Sequence, residues 1–237
     1  MSLAEAKSLW ALVQHREFFM AFALRHTVPS LPIRGFCGDM FAVDPLPISP
    51  LYHLPAPLSW SFLIAAPFTR FLWPSWLLRA KHATALLEFA SQISASDQGS
   101  FFVCDASTEM FGIDSHGDVK MTSWNHIYSY YELQSLAVRR SCDTDADCVL
   151  VPPHCQSSCD IRKQKCTLPL PAVVGICRLL EPYLLPNAPD SIAVDAARLV
   201  NQCTDMNASA AELPLQTTII TSALKSLLWR YISTHIS

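Results

Sequence analysis

The stretch Phe101–Asn125, FFVCDASTEMFGIDSHGDVKMTSWN, decides the fold. The segment from Gly99 to Cys104 carries an apolar run and reads as a strand. A polar loop, Asp105 to Gly117, follows, with Asp105 at its start. Asp118 to Met121 reads as a second short strand carrying Lys120. Just upstream, Ser75 to Gln92 (SWLLRAKHATALLEFASQ) has the spacing of a strong helix, with Leu77, Leu78, Leu86, Leu87 and Phe89 expected to face inward. The order is therefore a long helix, a hydrophobic strand, an Asp-containing loop and a strand with Lys.

Outward from that centre the reading is mainly helical. Ser2-x-x-Glu5 is a capping box, and Leu3, Leu9, Trp10, Leu12, Val13, Phe19 and Phe22 follow at near-helical spacing. One helix is expected from Ser2 to Leu24, with its aromatics in the core and Pro29 and Pro32 beyond its end. Ile33 to Val43 reads as two short strands around Gly35–Gly38. Pro45 to Pro57 is a proline-rich surface segment, and Ser59 to Trp73 reads as short helical pieces broken by Pro67. Glu132 to Arg140 is expected to be helical. Val173 to Leu185, Asp190 to Cys203 and Gln216 to Ile232 close the chain as three helices, the last with Leu224, Leu227, Leu228 and Trp229 on one side.

Composition narrows the function. Of 237 residues, 51% are hydrophobic and 16% charged, so there is ample apolar surface for a core. A net charge of −3 argues against a nucleic-acid partner bound by phosphate neutralisation. Only 6 glycines and 17 prolines argue against a Gly-rich phosphate cradle. No G-x-S-x-G elbow and no H-E-x-x-H occurs.

The 9 cysteines are uneven. Cys37 and Cys104 stand alone. Cys142, Cys148, Cys155, Cys159 and Cys166 cluster, and Cys177 and Cys203 follow. The intervals are irregular and no C-x-x-C occurs, so disulfides are favoured over a zinc site or free thiols. The odd total leaves one thiol over. Cys104, in its apolar run, is expected to be that one. Disulfides belong to oxidising compartments, and Asn207-Ala208-Ser209 is a glycosylation acceptor that fits the same setting. The N-terminus carries charges through its apolar positions and is no signal peptide, and no uncharged apolar run long enough to span a membrane occurs. The expectation is a longer natural protein whose N-terminal part precedes this segment.

The central order is that of protein kinases after their central helix: a catalytic loop D-x4-N, then K-L-x-D-F-G. The first Asp accepts the substrate hydroxyl proton, and the Asn and second Asp hold magnesium. The chain resembles the C-terminal part of the divergent protein kinase domain 1 family, cysteine-rich kinase-like proteins anchored as type II membrane proteins in the endoplasmic reticulum. SLAEAKSLWALVQHREFF, GFCGDMFAV, LPAPLSW, ALLEFA, FFVCDAS, FGIDSHGDVKM, CDTDADC, SCDIRKQKC, ICRLLEPYLLPNAPD and ALKSLLWRYIS carry the resemblance.

The resemblance implies an α+β, mainly α fold: a protein-kinase-like large lobe with an incomplete small lobe, a disulfide-rich insertion and C-terminal helices. It divides the chain into a small-lobe remnant (1–44), a large-lobe core (45–140) and a cysteine-rich module with C-terminal helices (141–237). Asp105 falls on the catalytic-loop acid. The metal-binding Asn position is Met110 and the metal-binding Asp position is Ser123. A thioether and a hydroxyl do not replace two hard oxygen ligands. Asp114 and Asp118 lie near as weak substitutes, against a plainer reading as solvated loop carboxylates. Glu17 aligns with the helix glutamate that pairs with a kinase's lysine, or is a surface glutamate. Glu5 matches the end of an EF-hand-like loop, but its capping role is the better account. Asp143, Asp145 and Asp147 form a D-x-D-x-D without the glycine a calcium loop needs.

The functional expectation is a kinase-like protein of the secretory pathway, on the lumenal side of the endoplasmic reticulum membrane. It is read as catalytically degenerate and acting as a scaffold or regulator of an unspecified protein partner. The alternatives are an active atypical kinase represented by a fragment, using ATP and magnesium in its full-length form, and a disulfide-rich protein-binding module. Membrane attachment is expected only through an N-terminal anchor outside this segment.

Overall fold

Helix α1 (Leu3–Gln14) opens the fold on the capping box read from the sequence. The Ser2 hydroxyl accepts from the Glu5 N–H at 3.2 Å, and the Glu5 carboxylate accepts from the Ser2 N–H at 2.6 Å. The structure is a computed structural model that describes residues 2–44, 74–94, 101–151, 155–206 and 213–236. The expectations for Pro45–Pro57, Ser59–Trp73 and Asn207 lie outside these residues.

The single helix expected from Ser2 to Leu24 is two. His15 takes an extended conformation and caps α1, and α2 (Arg16–Ala23) starts anew. The break lets α2 turn a different face inward, burying Phe18, Met20 and Ala21. Of the apolar residues expected to pack along this helix, only Leu12 is buried. Trp10 is 68% exposed, and Leu3, Phe19 and Phe22 are also exposed, which corrects the core expectation for these aromatics. β1 (Ile33–Cys37) and β2 (Met40–Val43) form the expected antiparallel hairpin, closed at its base by the Arg34–Asp44 ion pair.

The centre is α3 (Trp76–Ser94). Trp76, Arg79, Ala80, His82, Ala83, Leu86, Leu87, Phe89, Ala90 and Ile93 are all buried, so the helix is covered on more than one side. Leu78, expected inward, is exposed. The Thr84, Ser91 and Ser94 hydroxyls donate to the carbonyls of Ala80, Leu87 and Ala90, which satisfies them without loop contacts. Against α3 pack α5 (Ala172–Leu184) and α7 (Leu213–Ile236), and α6 (Asp190–Thr204) packs on both of these. Trp76 donates its indole N–H to the Leu184 carbonyl, and Lys225 of α7 pairs with Glu88 of α3. Leu224, Leu227 and Leu228 face the core as read, whereas Trp229 is exposed.

Small antiparallel ribbons cover the other side of α3. β3 (Phe101–Val103) pairs with β6 (Ile127–Ser129), and β4 (Phe111–Ile113) pairs with β5 (Val119–Met121). β4 lies inside the stretch expected to be a polar loop. β6 leads directly into α4 (Tyr130–Arg139), capped by the Ser129 hydroxyl accepting from the Glu132 N–H. The cysteine-rich stretch holds two further ribbons: β7 (Val149–Val151) with β8 (Cys155–Gln156), and β9 (Cys159–Asp160) with β10 (Lys165–Cys166).

Two apolar clusters result. Phe101, Val103 and Ile127 join the main one with α2, α3, α5, α6 and α7. Phe102, Cys104 and Tyr128 join the second, with Leu133 and Ala137 of α4 and the cysteines of β8 and β10. The β3–β6 ribbon thus feeds one cluster from each face, as the period-2 alternation of strand side chains requires.

Candidate functional site

β3 delivers Asp105 to an exposed position just beyond its C-terminal end. The chain then makes a 3-10 turn, Thr108–Met110, and enters β4. Met110 is 1% exposed, and its thioether lies in the main cluster. The backbone returns along β5, and the Thr122 N–H donates to the Met110 carbonyl at 2.8 Å while the Thr122 hydroxyl donates to the Glu109 carbonyl at 2.9 Å. Ser123 follows, its hydroxyl accepting from the Asn125 N–H at 3.5 Å. The fold therefore brings the Met110 and Ser123 segments side by side.

Asp114 and Asp118 sit at the other end of the same ribbon. Phe111 pairs with Met121 and Ile113 with Val119, so Asp114 lies four residues, about 13 Å, from Met110 along the ribbon. Gly117 makes the turn possible at φ +83°. The Asp114 carboxylate accepts from the His116 and Asp118 N–H groups at 2.9 and 3.0 Å. Burial pushes the Asp114 carboxyl up, but those two N–H groups, with the charges of Lys120 and His116, outweigh it and leave it below the usual range. Lys120 is 3.6 Å away as an ion pair. Asp114 thus closes a hairpin turn, and Lys120 points to it.

The segment is tied to the N-terminal helices by Arg16. Its guanidinium makes two parallel hydrogen bonds, both 2.7 Å, to the Glu132 carboxylate. It also donates to the Ile127 carbonyl at 3.1 and 2.8 Å and lies 3.7 Å over the Tyr128 ring. The planar guanidinium suits this forked contact. Glu17, its neighbour, makes no ion pair among the described residues. Sequence reasoning missed Arg16, because its partner Glu132 is 116 residues away.

The cysteines correct one expectation and extend another. Cys142 bonds Cys159, Cys148 bonds Cys166 and Cys177 bonds Cys203, so these candidates are bridged. Cys155 bonds Cys104, which was expected to be the free thiol. Cys37, exposed on β1, is the free cysteine. The phase of β3 is the physical reason: Cys104 points opposite to Phe101 and Val103, away from the main core and toward Cys155. Among the described residues, one group of His, Cys, Asp and Glu side chains is close enough to hold a metal ion. It is Cys142, Cys148 and Cys166, whose sulfurs are already committed to disulfides.

Two of the D-x-D-x-D acids, Asp145 and Asp147, serve the backbone. Asp147 accepts from the Thr144 and Asp143 N–H groups and from the Thr144 hydroxyl, which together hold its carboxyl below the usual range. Asp145 accepts from the Cys159 N–H at 2.6 Å.

A central helix, a strand followed by an exposed Asp, and a ribbon returning through Lys120 to Ser123 keep the order expected of a kinase-like domain. The family model described as the protein-kinase domain of FAM69 matches residues 9–206, and the chain belongs to that family. The match agrees with the resemblance to the divergent protein kinase domain 1 family. Among the described residues, no helix is long and apolar enough to cross a membrane.

Proposed function

We propose that this chain is a catalytically degenerate kinase-like domain of the secretory pathway, which acts as a scaffold or regulator of a protein partner. The observation that carries this reading is Met110. A kinase holds magnesium with an amide oxygen at this position, and here a thioether is buried among Phe111, Met121 and their neighbours. Ser123, at the second metal position, offers one hydroxyl. Magnesium takes oxygen ligands, several of them charged or bound to phosphate, and this donor set does not fit it. Asp105 alone retains the residue type of a catalytic base.

Four disulfides support a compartment in which thiols oxidise, and the endoplasmic reticulum lumen is the place proposed for this chain. A glycan at Asn207 belongs to the same proposal. In the large-lobe reading, α3 is the central helix, the Asp105 segment is the catalytic loop, and α1, α2 and the β1–β2 hairpin belong to the small lobe.

The test is nucleotide binding and magnesium-dependent phosphoryl transfer by the protein purified from the secretory pathway of a cell. The degenerate reading expects neither, and identical behaviour of the wild type and Asp105→Ala. Transfer that depends on magnesium and disappears in Asp105→Ala would establish the active atypical kinase instead.

A further inference from the structure

We propose that the Cys104–Cys155 disulfide is a redox latch on the Asp105 turn. The inference deepens the reading above by naming a regulation of the same site, and it rests on how that turn is held. Cys104 immediately precedes Asp105 and is bonded to Cys155, 51 residues on in the cysteine-rich stretch. Its N–H donates to the His126 carbonyl at 2.9 Å. On the other side of Asp105, Ala106 lies against α5 at Gly175, where an added Cβ would meet the Ala106 Cβ at 3.2 Å. The turn is clamped between a covalent bond and a helix surface.

The two sides of the clamp differ in kind. Gly175 belongs to a helix fixed to α6 by Cys177–Cys203, both fully buried, and a soluble thiol has no path to that bridge. The bridges Cys142–Cys159 and Cys148–Cys166 close loops within the cysteine-rich stretch, and neither bonds a residue next to Asp105 in the chain. Cys104–Cys155 is, among the described residues, the bridge that joins this stretch to β3, and Cys104 is half-buried. The reductant is a dithiol. One of its thiolates attacks Sγ of Cys104, forming a mixed disulfide and releasing Cys155 as a thiol. The second dithiol sulfur then displaces Cys104, so the dithiol leaves as its cyclic disulfide and both cysteines are reduced. The Asp105 turn keeps Gly175 on one side and, on the other, keeps the Cys104 N–H bond to His126 but loses its covalent tether.

The experiment uses the full chain and dithiothreitol as the dithiol. Differential alkylation identifies which cysteines open at each concentration, and amide hydrogen exchange follows residues 105–110. The latch expects Cys104 and Cys155 to be alkylated while Cys177–Cys203 and Cys148–Cys166 stay closed. At that point exchange at 105–110 rises about tenfold or more with α5 and α6 unchanged. A Cys104→Ala/Cys155→Ala chain reproduces the rise without reductant, and a Cys142→Ala/Cys159→Ala chain does not. Opening of Cys104–Cys155 only together with the buried bridges overturns the proposal. So does an equal rise in the second variant, or an unchanged turn after opening. If the alanine chain does not fold, the reductant series on the wild type still decides. Exchange and alkylation do not depend on phosphoryl transfer, so failure of the latch and failure of the degenerate reading are told apart.

Discussion

The two apolar clusters on either face of the β3–β6 ribbon are built by different means. The main cluster is assembled by long helices, whose Leu, Ala, Val and Phe side chains interlock around α3. The second rests on one short helix and strands of two or three residues, and four of its eight buried residues among those described are cysteines. Strands that short bury too little area to offset the entropy of ordering them. Covalent bonds take over where apolar area runs out, largely by restricting the unfolded chain. The main cluster should therefore answer to side-chain volume, and the second to redox state.

The largest effect that sharpens this contrast is in the main cluster. Phe89→Ala removes a ring packed edge-on against Phe111 at 5.2 Å between centroids, and costs about 3–5 kcal/mol in denaturant unfolding. A cost below about 1 kcal/mol would mean that α3 is not the centre of the core.

Replacing both Cys148 and Cys166 by Ala acts on the second cluster and costs about 2–5 kcal/mol there. Hydrogen exchange should rise through residues 141–168 while α3 and α5 keep their protection. Loss of protection in both clusters at once would break the comparison, making the two a single cooperative unit.

Acid should act on the main cluster through His82. Its ring is buried, with Nδ1 2.8 Å from the Tyr183 hydroxyl. Burial, with Lys81 beside it, pushes the imidazole from 6.5 down to about 4. The unfolded chain therefore takes up the proton first. Above pH 6.5 both states are neutral at this position, between 6.5 and about 4 stability falls with pH, and below about 4 the loss is complete. The full loss is about 3 kcal/mol. Unfolding series at several pH values on wild type and His82→Gln check it, since equal slopes would remove His82 as the source.

The smallest effect concerns the joint between the clusters and the N-terminal helices. The Arg16 and Glu132 side chains are 32% and 40% exposed, so a double-mutant cycle with Arg16→Met and Glu132→Gln should give a coupling of about 0.5–1 kcal/mol. A coupling that survives molar salt unchanged would show the pair to be more shielded than its exposure suggests.

Much of this was legible in the sequence where the signal is local. The capping box at Ser2 and Glu5, the helix after Ser75 and the three closing helices follow from spacing within a few turns. The break at His15 was not, because the apolar pattern runs through it and only packing shows that α2 must turn. β4 was missed because Phe111-Gly112-Ile113 is too short to stand out from its polar neighbours, and it becomes a strand by pairing with β5. At the candidate site, the residue types at Asp105, Met110 and Ser123 could be read directly. Their neighbourhood could not: the Thr122–Met110 hydrogen bond that brings the two segments together forms across a hairpin.

The sequence by itself determined the helix and strand that lead to Asp105, the family, and the prevalence of disulfides over zinc. These depend on residue type and on spacing along the chain, which the unfolded polymer already carries. The tertiary structure alone decided that Cys104 is bridged and Cys37 is free, that Asp114 closes a turn, and that Trp10, Phe19 and Phe22 lie outside the core. Eight cysteines allow about 105 pairings, and the choice among them rests on which sulfurs the folded backbone brings within bonding reach. Reach of that kind, across 51 residues between Cys104 and Cys155, is a property of packing rather than of spacing.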